Sequence, residues 1–231
     1  MKKLSHYYRK FLYDRKVRHL PERTGGYGKG GQDLIVAELL NKKRNGVFVD
    51  IGANDGITIS NTYYFEKKLG WTGLCIEPIP AVYEKLKNNR TCHTLNACIT
   101  DHEGISEFLQ IEGPAEMLSG LVDKYDEQHK HRIDKTLKRL GGTKKTIEVE
   151  CLRLGTALER FDVSSIDFLS LDTEGGELDI LKSIDFSRMP VLAISVENNY
   201  FTLEIREYLS TYGFQHHGTI GIDEIYLFKT G

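Results

Sequence analysis

Short apolar runs alternate with amphipathic segments along most of the chain. The run Val47–Ile51 is almost wholly apolar and ends in a glycine turn, which is typical of a strand buried on both faces. Ser60 is placed to cap a following helix, and Gly70 to end it. The same alternation predicts further strands over 72–76, 94–99, 107–111, 147–152, 166–171 and 191–196, with a hairpin over 215–220 and 224–228. Helices are predicted over 33–40, 60–69, 80–89, 123–139, 156–161, 175–184 and 201–212. This order predicts an α/β fold with a doubly wound, mostly parallel sheet and an antiparallel C-terminal hairpin strand.

Two segments depart from this alternation, and together they give the predicted domain organisation. Residues 1–23 read as a basic N-terminal arm, with an amphipathic helix over 1–20 whose apolar members are Tyr7, Tyr8, Phe11, Leu12 and Val17. Residues 24–231 then form a single domain. Residues 112–146 within it are polar and rich in His and Lys, which favours an insertion or lid over a core element.

The overall charge conceals an uneven distribution. The chain has 231 residues, is 40% hydrophobic and carries a net charge of −2. Residues 1–23 hold eight basic and two acidic residues (+6), and the other 208 hold 23 basic and 31 acidic residues (−8). The composition excludes global disorder, and the net charge predicts no nucleic acid partner. The arm is interpreted either as a solvated helix or as a contact to a phosphorylated substrate or to a partner subunit in a homodimer.

The four cysteines and the absence of long apolar runs indicate where in the cell the protein is expected. The cysteines form no CxxC pair and match no zinc-site spacing, and three of them lie in apolar runs that are typical of buried, reduced thiols. No stretch approaches the ~18 apolar residues of a transmembrane helix, and the N-terminus lacks a signal-peptide pattern. A cytoplasmic protein without a transmembrane segment is therefore expected.

Polar residues follow successive predicted strands, where an open α/β sheet binds its ligands. The first turn, DIGANDG, lacks both the G-x-G-x-x-G fingerprint and a phosphate-binding Gly-Lys-Ser/Thr. Asp50 and Asp55 would repel a diphosphate, and they suit a cationic or polyhydroxyl ligand such as S-adenosylmethionine. Glu77 ends the second strand, where an acid accepts ribose hydroxyls. The alternative is that Glu77 only caps the next helix.

Three blocks of this sequence resemble the FkbM-type S-adenosylmethionine-dependent methyltransferases: FVDIGANDG, SNTYYFEKKLGWTGLCIEP and SLDTEGGELDILKSI. The resemblance covers about residues 27–229. It implies a class I methyltransferase (Rossmann-like) fold, S-adenosylmethionine as cofactor, and O-methylation of substrates as diverse as sugars and polyketides. By position it implies that Asp50 holds the ammonium, that Glu77 binds the ribose and that Gln32 closes over the cofactor. The implied cofactor-binding residues are Gln32, Asp50, Gly52, Asn54, Gly56, Glu77, Asn96 and Ala97.

The candidate catalytic residues follow the later strands. Methyl transfer to a hydroxyl needs a proton acceptor, and Asp172, directly after an apolar strand, is the first candidate, with Glu174 and Glu177 as alternatives. Asp172, Glu197 and Asn198 are predicted to converge on a divalent cation such as Mg²⁺ or Mn²⁺. This arrangement resembles the macrocin-type sugar O-methyltransferases, although the pair here is Glu-Asn rather than Asp-Asp. Glu197 and His217 complete the predicted catalytic set, and His217 serves as base or ligand.

The predicted function is therefore S-adenosylmethionine-dependent O-methylation of a sugar, either nucleotide-linked or a polysaccharide precursor. Positive groups in the arm and the insertion would meet its phosphates. Two alternatives stay open, namely methylation of a polyketide or lipid hydroxyl and a non-catalytic scaffold that binds the cofactor.

Overall fold

The computed structural model describes residues 6–125 and 127–229, and it contains two sheets. The strands are β1 (Val47–Ile51), β2 (Thr72–Ile76), β3 (His93–Leu95), β4 (Cys98–Ile99), β5 (Gly104–Glu112), β6 (Gly120–Leu121), β7 (Thr143–Leu152), β8 (Ile166–Leu171), β9 (Val191–Glu197), β10 (Phe214–Ile220) and β11 (Asp223–Phe228). The helices are α1 (His6–Asp14), α2 (Gln32–Leu39), α3 (Tyr63–Leu69), α4 (Pro80–Asn89), α5 (Glu127–Leu140), α6 (Leu154–Glu159), α7 (Glu177–Ser183) and α8 (Glu204–Thr211).

The large sheet has the order β10-β11-β9-β8-β1-β2-β3. Its strands β3, β2, β1, β8 and β9 are parallel, and β11 and β10 add antiparallel pairs at one edge. The predicted α/β fold with a mostly parallel sheet and an antiparallel C-terminal strand is confirmed. From β1 the chain adds β2 and β3 on one side, and it later adds β8 and β9 on the other side, so β1 and β8 flank the switch point of the sheet. A crevice for ligands forms at such a switch point, beyond the carboxyl ends of the strands.

Alternation along β1 divides the core into two layers. Val49 and Ile51 pack into one buried cluster, and Phe48 packs into the other with Phe168 of β8. Phe65 and Trp71 extend this second cluster, with ring centroids 4.6 Å apart. Because side chains alternate between the faces of a strand, Asp50 belongs on the same face as Phe48.

The small sheet differs from the expectation of one continuous sheet. The predicted strand 94–99 is split, and β3 joins the large sheet while β4 joins the small one, in the order β4-β7-β5-β6. The long antiparallel pair β5–β7 extends from Gly104↔Cys151 to Glu112↔Thr143. β7 therefore begins four residues before the predicted 147, inside the segment expected to be an insertion. Its first residues are exposed on both faces, so they carry no apolar alternation, and hydrogen bonds to β5 form the strand instead.

The N-terminal helix ends earlier than predicted. Within the described residues α1 spans His6–Asp14, so it ends six residues before the predicted residue 20, and residues 1–5 and the side chains of Tyr7 and Tyr8 lie outside the described part of the chain. Phe11 and Leu12, two of the predicted apolar members of the helix, are exposed, and Tyr13 is the buried residue of α1. The buried Tyr13 hydroxyl donates to Glu224 of β11. No helix within 6–125 and 127–229 is long and apolar enough to cross a membrane.

Candidate functional site

A first cleft of about 830 Å³ opens beyond the carboxyl ends of β1 and β2. Its walls include Gly52, Asn54, Glu77, Ala97 and Ile99. Apolar side chains from the small sheet, including Phe108 and Leu121, close the other side. The cleft therefore combines an apolar slot with a carboxylate and with the backbone of a glycine turn.

Glu77 is the buried acid of the first cleft. Its carboxylate accepts hydrogen bonds from the amides of Asn54 (3.1 Å) and Ile79 (2.9 Å). Burial raises its pKa to about 7, although these two hydrogen bonds act in the opposite direction. Ile79 directly precedes α4, so Glu77 contacts the start of that helix and also lines the first cleft.

Gly52 allows β1 and β8 to meet beneath the cleft. It has φ +83°, and a Cβ added there would lie 1.9 Å from the carbonyl oxygen of Asp172. Any side chain would push Asp172 away, so the close approach of the two strand ends requires glycine.

Half of the predicted cofactor residues lie outside the first cleft. Asn96 lies beneath it, and its side-chain amide donates to the carbonyl oxygens of Glu77 (2.8 Å) and Pro78 (3.0 Å). Gly56 packs against Arg90, whose Cγ would be 2.7 Å from an added Cβ. Gln32 lies at a second cleft, described below. Gly52, Asn54, Glu77 and Ala97 are the predicted residues that the structure brings together here.

Asp50 is held in a buried polar network on the opposite face of β1. Thr62 donates to its carboxylate at 2.6 Å, and Arg90 in turn donates to the Thr62 hydroxyl at 3.1 Å. Burial raises the pKa of Asp50, whereas Thr62 and Arg90 lower it. Arg90 also donates to the carbonyl of Gly56 (3.1 Å) and to the carboxylate of Glu66 (2.5 Å). The network fixes the turn that follows β1, which forms the floor of the first cleft.

A second cleft, of about 930 Å³, adjoins the first. Asp172, Glu174 and Met117 line both clefts. Gln32 donates to Asp223 at 2.6 Å across the second cleft, and burial raises the pKa of Asp223 to about 6. The second cleft also has two cationic wall residues, Lys29 and Arg132, and an apolar rim that includes Ile59.

Three carboxylates form a cluster where the two clefts meet. Asp172, Glu174 and Glu197, called the acid cluster below, each offer an oxygen within 4.8 Å of the others. Burial is the largest cause that raises the pKa of each, and repulsion from neighbouring acids adds to it. Such a set of oxygen donors suits a hard divalent cation.

Glu174 reaches the cluster through a strained turn. It has φ +57°, a left-handed conformation that costs about 1 kcal/mol or more for a residue with a side chain. Its carboxylate accepts hydrogen bonds from Arg132 of α5 (3.3 Å) and Asn199 (3.2 Å). The segment between β5 and β7 therefore contacts the acid cluster directly through α5.

The structure does not bring Asn198 and His217 to the cluster. The Asn198 amide donates to Thr202 (2.8 Å) and Glu224 (3.2 Å), on the far side of β9 from the second cleft. His217 lies on β10 beside an irregularity of the register, and burial followed by the charge of Arg18 lowers its pKa. Of the described residues, those that line the two clefts do not include His217.

Sequence reasoning missed three residues of the second cleft. Asp223 begins β11 and lies opposite Glu197 in the ladder, a pairing that only the tertiary structure creates. Arg132 lies on α5, within the segment 112–146 whose positive groups are predicted to meet substrate phosphates, but the polar pattern of that segment does not single out this residue. Lys29 lies in the glycine-rich segment before α2, and its positive charge lowers the pKa values of Glu174 and Asp223.

Comparison with known proteins places this chain among methyltransferases. Residues 50–216 match the model of the methyltransferase FkbM domain. Methyltransferase sdnD of Sordaria araneosa is 27% identical over 169 residues, which are 64% of each protein, so this chain matches less than two thirds of that relative.

Two further methyltransferases are among the solved structures that align with this chain. FkbM methyltransferase from Methylobacillus flagellatus KT aligns with a TM-score of 0.45 at 15% identity, over 80% of this chain and 44% of that one. Precorrin-6y C5,15-methyltransferase from Geobacter metallireducens GS-15 aligns with a TM-score of 0.44 at 13% identity, over 90% and 93%. The FkbM domain match covers more than half of the 231 residues and includes the turns that build the first cleft and the acid cluster. This chain belongs to the FkbM family of methyltransferases.

Proposed function

We propose that the protein transfers a methyl group from S-adenosylmethionine to a hydroxyl of a small molecule. The observation that carries the proposal is the acid cluster, which lies where the first and second clefts meet. A methyl donor in the first cleft and an acceptor in the second would approach each other beside Asp172, as in-line transfer requires.

The residues of the first cleft fit S-adenosylmethionine. Glu77, held by two backbone amides, offers its carboxylate to the ribose hydroxyls, and Ala97 and Ile99 offer an apolar surface to the adenine. The Gly52 turn leaves room for the methionine part. When bound, the cofactor supplies an electrophilic methyl group on a sulfonium. Asp50 supports this site as a positioning residue, because its carboxylate contacts Thr62.

Asp172 is the proposed base. With S-adenosylmethionine bound, the substrate oxygen would bond to its methyl carbon as the carbon–sulfur bond breaks, and the Asp172 carboxylate would accept the hydroxyl proton. The products are a methyl ether and S-adenosylhomocysteine. Since burial and neighbouring acids raise the pKa of Asp172, its ionised fraction, and with it turnover, should increase with pH.

The acid cluster is also the proposed site of a divalent cation such as Mg²⁺ or Mn²⁺. Glu174 replaces the predicted Asn198 in the donor set, and Asp172 and Glu197 stay in it. A bound cation would make a substrate hydroxyl more acidic. If the cation is required, a chelator abolishes turnover and added Mg²⁺ or Mn²⁺ restores it, whereas undiminished activity in chelator would remove the metal from the proposal.

A sugar is the proposed acceptor. Gln32, Asn61 and Asp223 place amide and carboxylate groups in the second cleft, as a polyol requires, and Lys29 and Arg132 could meet a phosphate of a nucleotide-linked sugar. The exposed rim residues Ile59 and Met117 favour the second candidate, a polyketide or lipid hydroxyl. A screen of nucleotide sugars and apolar alcohols with methyl-labelled cofactor distinguishes the two.

The variant Asp172→Asn tests the assignment of the base. We expect loss of turnover with S-adenosylmethionine affinity retained in calorimetry, because the contacts of Glu77 are unchanged. Asp185→Asn, an exposed substitution after α7, is the matched control. Near-normal turnover of Asp172→Asn would show that another group accepts the proton.

A further inference from the structure

α1 exposes an apolar pair at the surface of the protein. The side chains of Phe11 and Leu12 are 54% and 36% exposed, although both are large and apolar. The helix is anchored through Tyr13, which is buried, donates to Glu224 and packs edge-on against Phe201. Folding therefore holds α1 firmly while its apolar pair stays uncovered.

Cationic side chains follow this apolar pair along the chain, and one of them lies against it. Arg15, Lys16 and Arg18 are exposed, and none of them makes an ion pair with another described residue. The Arg15 guanidinium lies 5.7 Å from the centre of the Phe11 ring. Arg15, Lys16 and Arg18 are called the cationic rim below. An exposed apolar pair next to such cations is typical of a helix that lies at the interface of a membrane with anionic lipids.

We propose that the segment 9–18, called the docking segment below, binds an anionic lipid surface. Phe11 and Leu12 would enter the boundary between headgroups and acyl chains, and the cationic rim would contact lipid phosphates. A second copy of this chain is a poorer occupant, because a symmetric contact would set each cationic rim against its own copy. The remainder of the chain carries −8 against +6 in residues 1–23, so an anionic surface would attract the docking segment and repel the body.

The docking segment is close in sequence and structure to the second cleft. The chain leaves α1, pairs His19 with Thr219 of β10, and reaches Glu22, which lines the second cleft. The Arg23 amide donates to Gly30, another residue of that lining, at 2.9 Å. Docking would thus hold the rim of the second cleft near the lipid surface. The proposal itself does not depend on methyl transfer.

Vesicle sedimentation of the full chain, without cofactor or substrate, tests the proposal. The probes are vesicles of phosphatidylcholine alone and of phosphatidylcholine mixed with phosphatidylglycerol. We expect binding to the mixed vesicles, weakened by salt, and little binding to the neutral ones. Phe11→Asp with Leu12→Asp should weaken binding at least ~10-fold, and Arg15→Ala should weaken it ~5-fold.

Ile105→Asp is the matched control, because Ile105 is 65% exposed on β5 of the small sheet, outside the docking segment. It should bind mixed vesicles as the unaltered protein does. Circular dichroism shows whether the double variant is folded, and Arg15→Ala provides a second test if it is not. Equal binding to neutral and mixed vesicles, or equal binding by the docking-segment variants and the control, would overturn the proposal. So would a dimer in solution that Phe11→Asp dissociates.

Discussion

The buried ion pair between Glu66 and Arg90 lies below the turn that forms the floor of the first cleft. Their side chains are 5% and 0% exposed, and the Arg90 Nε atom is 2.5 Å from the Glu66 carboxylate. Burial alone would raise the pKa of Glu66, but hydrogen bonds from Lys67, Arg90 and Thr91 lower it from 4.5 to about 2. That difference corresponds to about 3 kcal/mol in favour of the folded state.

Glu66→Ala should therefore destabilise the protein strongly. Removal of one partner leaves the guanidinium of Arg90 buried without its carboxylate, which costs about 3–5 kcal/mol. For a chain of this size, the melting temperature should fall by roughly 2–4 °C for each kcal/mol. The matched control is Glu150→Ala, which removes an exposed pair with Arg160 and should cost about 1 kcal/mol or less.

Urea titration, monitored by the fluorescence of Trp71, measures the free energy of unfolding of both variants. Trp71 is the single tryptophan and lies buried against Phe65. Because the pKa of Glu66 is lowered by folding, its contribution is complete above pH 4.5 and is lost as the pH falls toward about 2. The difference in free energy of unfolding between Glu66→Ala and the unaltered protein should thus be constant near neutral pH and shrink only in acid. If Glu66→Ala lowers the free energy of unfolding near pH 7 by no more than Glu150→Ala does, the buried ion pair does not stabilise the folded state to this extent.

Two further predictions concern the first cleft. Because burial raises the pKa of Glu77 to about 7, and ribose hydroxyls favour its ionised form, affinity for S-adenosylmethionine should rise about tenfold from pH 6 to pH 8. Calorimetry should show this rise and a weaker, pH-independent affinity for Glu77→Gln; no pH dependence in the unaltered protein would exclude the contact. Gly52→Ala should lower the free energy of unfolding by more than ~2 kcal/mol, because its Cβ meets the Asp172 carbonyl. Gly155→Ala, in α6 and with open space around it, should be neutral or slightly stabilising in the same urea titration.

The sequence predicts the first cleft better than the acid cluster. Gly52 and Glu77 directly follow parallel strands and Ala97 comes two residues after a third, so their position depends mainly on correct assignment of the strands. Asp50 shows the limit of that rule, because the alternation that buries Phe48 on one face also turns Asp50 to that face, away from the cleft.

The alternation of side chains along a strand also explains why Glu197 joins the acid cluster and Asn198 does not. Consecutive residues at the end of a strand point to opposite faces, so only one of the two can join Asp172. Glu174 supplies the third carboxylate of the acid cluster, through a left-handed turn that no local apolar pattern indicates. Arg132 and Asp223 reach the second cleft from a distant helix and an antiparallel strand, and only the packing of the whole chain brings them there.

The small sheet is formed by one continuous piece of the chain, from β4 to β7, inserted between β3 and β8 of the large sheet. Its two ends adjoin each other, because β4 pairs with β7 through Cys98↔Cys151. Such a unit can be exchanged or lengthened between related proteins without altering the register of the large sheet. This piece of chain carries one wall of the first cleft and, through Met117 and Arg132, part of the second. Grafting this single segment would therefore change one wall of each cleft at once, while β1, β2 and the register of the large sheet stay as they are.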